Sequence, residues 1–514
     1  MRSITERLKP YDLPLIALVC ALAAYYAISA GGNFPLDDSW IHQVYGRNLA
    51  QRGEWAFVAG QPSAASTAPL YTVLLAAGYA LGVPFRLWTH GLGAAALALT
   101  ALLGARMAER LSPGRWTGWA AGLALALAWH LLWAAVSGME TIIFSLLALA
   151  LIALAWREAD APAAPAWTAG RRGAVFGVLA ALTALARPEG VTLAALIGAA
   201  LLLARPQGWR GTLAWAGAAA LGFGVAIAPY LLLNLQLTGG LLPDTASAKQ
   251  AQAAPVLAAA SYPERVRDML LPLLAGGQAL LLPGMVWYTA QTGRRARRSR
   301  RALLDLLPLA WAAWLVLLYA AWLPAPYQHG RYVIPALPGM IVCGVVGTLW
   351  LLAAARRTFG GRVVTRALAA AAALVLLYFA LAAGPAAYRR DVRIIDEEMV
   401  TAARWIAANI PLQDLLAVHD IGAVGYFAPR PILDIAGLVN PEFAPIYNDG
   451  AAVFALMQAR GARYLLAFPD QVPGEDVADR RLCPVFTTGG EAAVSAGGEN
   501  MTVYALAWDG ICPQ

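Results

Sequence analysis

Charged residues are scarce in this chain of 514 residues. Asp, Glu, Lys and Arg make up 13% of it, whereas soluble domains carry about 25%. The mean hydropathy is +0.58. Apolar runs of about 20 residues, the length that crosses a bilayer, recur from Tyr11 to Ala383. This composition excludes an ordinary soluble protein and predicts a mainly α, polytopic bundle of transmembrane helices.

A nucleic-acid-binding pattern and a cleavable leader are also missing. The net charge is +8, but the basic residues cluster in short loops between apolar runs, which is the orientation signal of a membrane protein. The first apolar run is long and lacks a small-residue cleavage site, so we expect a retained span. Arg2, Arg7 and Lys9 precede it and predict a cytoplasmic N-terminus.

About eleven spans are predicted, at residues 13–30, 86–106, 116–136, 141–157, 173–187, 190–205, 211–235, 267–290, 302–322, 332–353 and 364–384. The apolar segment 68–83 is short for a span. If it does not cross, the basic clusters fall on the cytoplasmic side, so we expect a juxtamembrane or re-entrant helix there. Parity then places the loop 31–66 and everything after Gly384 outside a bacterial-type plasma (inner) membrane.

The last part of the chain changes character, which predicts two domains, 1–388 in the membrane and 389–514 outside it. Apolar runs become short there, and charged residues return. Alternating segments predict a small α/β domain. They are helices at 396–409 and 451–460 and strands at 415–419, 431–434 and 464–468.

Only four cysteines are present. Cys20 and Cys343 lie in predicted spans, where packing explains them. Cys483 and Cys512 both lie in the outer domain, where an oxidising exterior would let them form a disulfide. Two free thiols are the alternative.

Two adjacent carboxylates, Asp37 and Asp38, follow the first span directly. A carboxylate at a membrane surface is costly unless water or a partner solvates it, so the pair is a candidate functional site. The alternative is a solvated helix end.

The segment Ser39–Arg52 after this pair reads as a helix ended by Gly53. Its Trp40, Val44 and Leu49 form an apolar face that could lie on the membrane surface.

Other polar residues gather on the same predicted face. Arg187, Lys249, His329 and Arg331 are candidate cations, and Glu140 stands at the mouth of a span. Arg187 could instead cap a span end, Lys249 could reach the lipid headgroups, and Glu140 could cap the next helix.

Sugar transfer from a polyprenyl phosphate needs this set of groups. A carboxylate takes the proton of the attacking hydroxyl. Cations stabilise the leaving phosphate, and the lipid tail needs an apolar groove. We therefore expect the four cations to hold a donor phosphate beside Asp37 and Asp38.

Six short stretches make the chain resemble the C-type (GT-C) integral membrane glycosyltransferases, and most closely the arabinofuranosyltransferase B group. They are Leu36–Ile41 with Arg47–Leu49 behind it, Pro69–Tyr71, Ser137–Thr141, Leu185–Glu189, Leu242–Lys249 and His329–Tyr332.

The resemblance implies a polyprenyl-phosphate sugar donor and an aspartate as the catalytic base. Some relatives have a single aspartate here, and its distance from the turn at Gly53 matches Asp38 better than Asp37. It implies that Glu140 faces the catalytic cavity, and Glu189 and Tyr332 are further candidates to bind substrate. Ser66 and Thr67 stand where distant relatives have charged residues. The sequence therefore does not decide whether the protein binds a metal, and a divalent ion is one possibility.

The expected acceptor is an extracytoplasmic glycan, lipid or protein. A transporter or flippase of lipid-linked sugars is one alternative, but it predicts paired halves and charges deep within spans, which the sequence lacks. A non-catalytic envelope assembly protein is another. The Gly-rich segment His419–Gly425 lacks the spacing of a dinucleotide site, so nucleotide binding is not expected.

Overall fold

The structure is a computed structural model that describes residues 8–162, 165–241 and 245–512. Arg2 and Arg7, on which the predicted cytoplasmic N-terminus depends, lie outside these ranges. So do Leu242 and Asp244, at the start of the predicted outer segment that leads to Lys249.

Most of the chain forms a bundle of apolar helices, numbered here in chain order. They are α1 (Asp12–Ser29), α2 (Asp37–Arg52), α3 (Pro69–Ala80), α4 (Phe85–Leu111), α5 (Thr117–Ala126), α6 (Trp129–Val136), α7 (Thr141–Asp160), α8 (Ala166–Ala186), α9 (Gly190–Ala204), α10 (Gly208–Thr238), α11 (Thr245–Ala259), α12 (Tyr262–Leu274), α13 (Leu282–Ala296), α14 (Leu307–Trp322), α15 (Leu337–Ala354) and α16 (Phe359–Tyr378). Short 3-10 helices adjoin them at Gly277–Leu281, Arg300–Leu306, Ile334–Ala336 and Ala355–Arg357.

The chain is a multi-pass membrane protein. Within the described residues, 8 helical segments are long and apolar enough to cross a bilayer, or up to 10 if each of two bent pairs counts as one span. The pair α5–α6 bends by 54°, and α12 meets the segment Gly277–Ala296 at 100°. The predicted span 267–290 is not one continuous helix: it breaks at Gly276, whose φ of 144° favours glycine.

The ten segments counted above do not include the short helix α9, which corresponds to the predicted span 190–205 and would bring the number of spans to the predicted eleven. Glu189, just before α9, lines the same cavity as Glu140, just before α7. Beyond the far end of α9, Gln207 donates hydrogen bonds to the carbonyl oxygens of Glu158 and Ala161 at the end of α7. The 15 residues of α9 thus run alongside α7. The segment 68–83 contains only the 12-residue α3, too short to cross.

The helix α2 lies between the bundle and the C-terminal domain. Trp40 and Val44 are fully buried, and the Trp40 ring packs against Tyr426 and Phe427 at centroid distances of 4.9 and 4.7 Å. The prediction that this apolar face lies on the membrane surface is therefore wrong for both residues, because the C-terminal domain covers it. Beyond α2, strands β1 (Ala56–Val58) and β2 (Gln61–Pro62) form a small hairpin.

An unbroken helix joins the membrane bundle to the C-terminal domain. It continues from α16 through a π-helical segment (Phe379–Ala383), α17 (Gly384–Ile395), a second π-helical segment (Asp396–Val400) and α18 (Thr401–Asn409). The predicted boundary between residues 388 and 389 falls inside this helix.

A five-stranded sheet forms the centre of the C-terminal domain, with strand order β4-β3-β5-β7-β6. The strand β3 pairs in parallel with β4 and β5, and β7 pairs antiparallel with β5 and β6. Their bounds are β3 (Leu416–Val418), β4 (Ile432–Asp434), β5 (Tyr464–Ala467), β6 (Leu482–Thr487) and β7 (Thr502–Leu506). The remaining helices are α19 (Gly422–Phe427), α20 (Gly450–Ala459) and α21 (Glu491–Ser495), with 3-10 turns at Pro441–Ile446, Pro469–Gln471 and Pro473–Glu475.

Cys483, at the start of β6, forms a disulfide with Cys512, with a Cα–Cα distance of 5.6 Å. This agrees with the predicted pairing. Cys343 is buried in α15 as a free thiol, whereas Cys20 is exposed on α1, on a side of the bundle where lipid would contact it.

Candidate active site

A cavity of about 320 Å³, the first cavity, opens where several helices end below the C-terminal domain. The start of α2, the starts of α7 and α9, the helix α11, the end of α14 and the turn after it contribute to its wall. Seven of the nine predicted site residues line it, namely Asp38, Glu140, Arg187, Glu189, Lys249, Arg331 and Tyr332. Asp37 and His329 lie elsewhere.

Asp38 forms an ion pair with Arg331 in this cavity. Arg331 Nη2 donates to Asp38 Oδ2 at 2.5 Å and to the Tyr332 hydroxyl at 3.0 Å. The side chain of Arg331 is 6% exposed and that of Asp38 is 29% exposed, so the carboxylate is the more accessible partner. Among the described residues, Nε and Nη1 of Arg331 have no hydrogen-bond partner. Two buried nitrogen atoms of a guanidinium are therefore available to donate hydrogen bonds to an anion.

Lys249 adds a second cation near Asp38. Burial alone would raise the pKa of Asp38, but the charges of Arg331 and Lys249 hold this pKa well below its usual range. Burial would lower the pKa of Lys249, but the Tyr332 hydroxyl and the Asp38 carboxylate raise it above its usual value. Both groups are therefore charged at neutral pH.

Glu140 stands at the centre of a second group of charges in the same cavity. Its carboxylate lies 3.3 Å from His42 Nε2 and 3.7 Å from Arg187 Nε. Arg187 Nη2 also donates to the Tyr319 hydroxyl at 2.9 Å and lies 3.5 Å from the carboxylate of Glu189. These contacts hold the Arg187 guanidinium at the cavity wall between two carboxylates.

Asp37 points away from the cavity and into the C-terminal domain. Its two carboxylate oxygens accept hydrogen bonds from the backbone N–H groups of Gly422 and Ala423, at 2.6 and 2.7 Å. Burial and the neighbouring carboxylate of Asp420 raise the pKa of Asp37 to about 8, against these two donors, which favour its ionised form. The pKa values of the two adjacent aspartates are thus shifted in opposite directions.

His329 lies outside the first cavity. Its Nε2 atom is 2.7 Å from Asp391 Oδ2, and its ring packs edge-on against Trp129 and Trp133. It lines a second cavity, described below, which the sequence did not indicate.

The sequence analysis also missed residues that line the first cavity. His42 follows Asp38 by four residues, so both side chains lie on one face of α2; this spacing was the available signal. Thr67, next to the buried Ser66, reaches the cavity, whereas Ser66 Oγ pairs with Thr72 Oγ1 at 2.7 Å. Tyr319 and Trp322 join from the end of α14, where nothing in the apolar pattern marked them.

No group of three or more His, Cys, Asp or Glu side chains suited to a metal ion occurs among the described residues. The carboxylates of the first cavity are instead paired with cations: Asp38 with Arg331, and Glu140 and Glu189 with Arg187. This donor set does not favour a divalent ion.

Residues 380–504 match a family described as a domain of unknown function (DUF8728). No curated protein matches the chain. The structure is similar to that of ArnT from Cupriavidus metallidurans, with 13% sequence identity and TM-scores of 0.58 for the apo state and 0.56 for ArnT bound to undecaprenyl phosphate. Each match covers 98% of this chain and 99% of the other.

The chain therefore shares the fold of ArnT, a multi-pass helical bundle with a small C-terminal sheet domain. At this identity the likeness shows the fold and does not support the narrower arabinofuranosyltransferase B group.

The raised pKa of Asp37 predicts how the stability of the protein depends on pH. An aspartate with a raised pKa favours the folded state at low pH, and this contribution is lost as pH rises from the usual 3.8 through about 8. We expect the Tm of Asp37→Asn, measured in detergent, to gain on that of wild type from pH 5 to 8 and to keep a constant difference above pH 8. Parallel profiles throughout would contradict a protonated Asp37.

Proposed function

We propose that this chain is a glycosyltransferase that moves a sugar from a polyprenyl-phosphate donor to a hydroxyl group of an extracytoplasmic acceptor. The observation that carries the proposal is the pairing, in one cavity, of an ionised Asp38 with an Arg331 whose Nε and Nη1 atoms have no partner among the described residues. One group can accept a proton, and the other can bind a phosphate.

The donor phosphate would bind between Arg331 and Lys249, with Arg187 further along the same wall. The anion competes with Asp38 for the guanidinium, so donor binding weakens the ion pair and frees the carboxylate to accept a hydrogen bond from the acceptor hydroxyl. Asp38 then takes the hydroxyl proton as the oxygen bonds to the anomeric carbon and the bond from that carbon to the phosphate oxygen breaks. Polyprenyl phosphate leaves with the bonding electrons, and its charge is stabilised by the cations. Single displacement of this kind inverts the anomeric centre.

An apolar cavity of about 610 Å³ supports a lipid-linked donor. The helix α14 lines it with Leu309–Leu317 and lines the first cavity with Tyr319–Leu323. The first cavity and this apolar cavity therefore follow one another along α14. The first cavity lies below the C-terminal domain, and the apolar cavity lies within the bundle. A polyprenyl tail could lie in the apolar cavity while its phosphate occupies the charged one. The fold is shared with ArnT, which has been solved bound to undecaprenyl phosphate.

The same proposal places the protein in the inner membrane of a bacterial-type cell, with the C-terminal domain outside. The Cys483–Cys512 disulfide supports an oxidising location for that domain. The resemblance to the arabinofuranosyltransferase B group supports an arabinofuranosyl donor as the first sugar to test. The acceptor would be a glycan, lipid or protein of the cell envelope.

The test is sugar transfer by the purified protein in detergent and in liposomes, with a panel of short-chain polyprenyl-phosphate sugars. We expect one donor to support both transfer to an octyl glycoside and slow hydrolysis. A protein that moves a lipid-linked sugar between the leaflets of a liposome without cleaving it would instead be a flippase. Binding of a donor with neither reaction would indicate an assembly protein.

A further inference from the structure

A second cavity, of about 540 Å³, lies at the seam between the bundle and the C-terminal domain. The helix α6 lines one side of it, and α17 with Phe468 of the C-terminal domain lines the other. Pro35 and the turn Pro326–His329 complete its wall.

The turn that carries His329 has a strained backbone. Gln328 and His329 have φ values of 51° and 59°, and Gly330 follows with a φ of 66°. Two successive residues with side chains in the left-handed region are energetically costly. Such strain persists where the surrounding structure fixes a side chain for a task. The turn points His329 to the second cavity and Arg331 to the first.

The imidazole of His329 is held in one orientation. Asp391 Oδ2 accepts a hydrogen bond from Trp133 Nε1 at 2.9 Å and lies 2.7 Å from His329 Nε2. This contact engages Nε2 of His329, so Nδ1 is the ring nitrogen left for a ligand. The rings of Trp129 and Trp133 pack edge-on against the imidazole, at centroid distances of 4.9 and 5.3 Å.

A second buried histidine lines the same cavity. His130 is fully buried, and its Nε2 atom has no hydrogen-bond partner among the described residues. Arg390 and Gln328 add polar groups at the rim. Oriented acceptors and donors between aromatic and apolar walls suit a ligand with many hydroxyl groups on a carbon ring.

Two short segments, Pro35–Asp38 and Tyr327–Arg331, connect the second cavity to the first. Pro35 lines the second cavity, and Asp38, three residues further on, lines the first. Tyr327 lines the second cavity, and Arg331, four residues further on, lines the first. A hydroxyl of a ligand in the second cavity is therefore close to the loop that presents Asp38.

We propose that the second cavity binds the acceptor as a saccharide, with His329 Nδ1 and His130 Nε2 bonded to its hydroxyl groups. This inference rests on the proposed function. It gives the acceptor an entrance at the seam with the C-terminal domain, separate from the donor's entrance between membrane helices.

The experiment compares sugar transfer with donor hydrolysis, using a panel of octyl glycosides as acceptors. Met399→Trp places a larger side chain in the second cavity, and Leu412→Trp adds the same ring at an exposed position of the C-terminal domain, outside both cavities. We expect the transfer-to-hydrolysis ratio to fall at least tenfold in Met399→Trp and to match wild type in Leu412→Trp.

A second variant covers the case in which Met399→Trp does not fold. Asparagine adopts the left-handed conformation readily, so His329→Asn keeps the turn and removes the imidazole. We expect the acceptor KM to rise about five- to tenfold, as for the loss of one hydrogen bond. A wild-type ratio and acceptor KM in whichever variants fold would overturn the inference and leave the proposed function intact. A wild-type protein that neither transfers nor hydrolyses any donor would contradict the proposed function and this inference together.

Discussion

Replacing Asp38 by asparagine is expected to lower kcat for sugar transfer by about 10²- to 10⁴-fold, the usual contribution of a general base. The amide keeps the shape of the side chain and can still accept a hydrogen bond from Arg331, but it cannot take the proton of the acceptor hydroxyl. The donor KM should change much less than kcat. Initial rates with a saturating donor, at a fixed acceptor concentration, measure the effect.

The adjacent Asp37 offers a matched control for this experiment. Asp37→Asn makes the same chemical change one residue earlier, at a side chain that contacts Gly422 and Ala423 rather than the cavity. We expect its kcat to fall far less than that of Asp38→Asn, because asparagine accepts only one of the two N–H bonds but Asp38 itself is kept, while its stability becomes less dependent on pH. A large loss of kcat in Asp37→Asn with an active Asp38→Asn would move the base to Asp37.

Removing the charge of Arg331 should have the second large effect. In Arg331→Met the donor phosphate loses its buried guanidinium, and we expect kcat/KM for the donor to fall by about 10²- to 10³-fold, as when one oxyanion donor is removed. Arg331→Lys keeps the charge but loses the planar set of donors, so it should recover only part of this loss. Arg267→Lys, at an exposed site on α12, is the control.

The pH profile of Arg331→Met distinguishes a catalytic loss from a folding defect. Arg331 is the main partner that lowers the pKa of Asp38, so its removal should move the acid limb of the rate profile to higher pH. The sign follows because Asp38 must be ionised to act, and without its cation it is protonated at a higher pH. An unchanged acid limb together with a normal donor kcat/KM would show that Arg331 has no part in the reaction.

The membrane architecture could be predicted from the sequence because each span is a local run of apolar residues. The predicted strands at 415–419, 431–434 and 464–468 were likewise marked by short buried runs. The strand β6 was missed because Pro484 interrupts it, and a proline is tolerated there only because β6 is an edge strand. The burial of Trp40 was missed because its partners, Tyr426 and Phe427, are distant in sequence.

The candidate site was predicted in part for a similar reason. Charged residues at the ends of apolar runs identified five of the cavity residues, because charges gather at one face of a bundle, and the family resemblance added Glu189 and Tyr332. The division of tasks between Asp37 and Asp38 could not be predicted, since it depends on the direction in which each side chain leaves the first turn of α2. The position of His329 depends on the left-handed backbone of Gln328 and His329, which no pattern in the sequence predicts.

The contact between Asp37 and the N–H of Gly422 joins residues 385 positions apart. During synthesis, Asp37 emerges soon after the first span, whereas α19 emerges only after the whole bundle has been made. The loop that presents Asp38 therefore stays incomplete until the last domain folds and docks, because nothing earlier in the chain supplies those two N–H donors to Asp37. Contacts of such long range form late in folding. In a transferase of the proposed kind, activity would therefore begin only after the C-terminal domain, which adds Leu438 to the wall of the first cavity, has folded and docked.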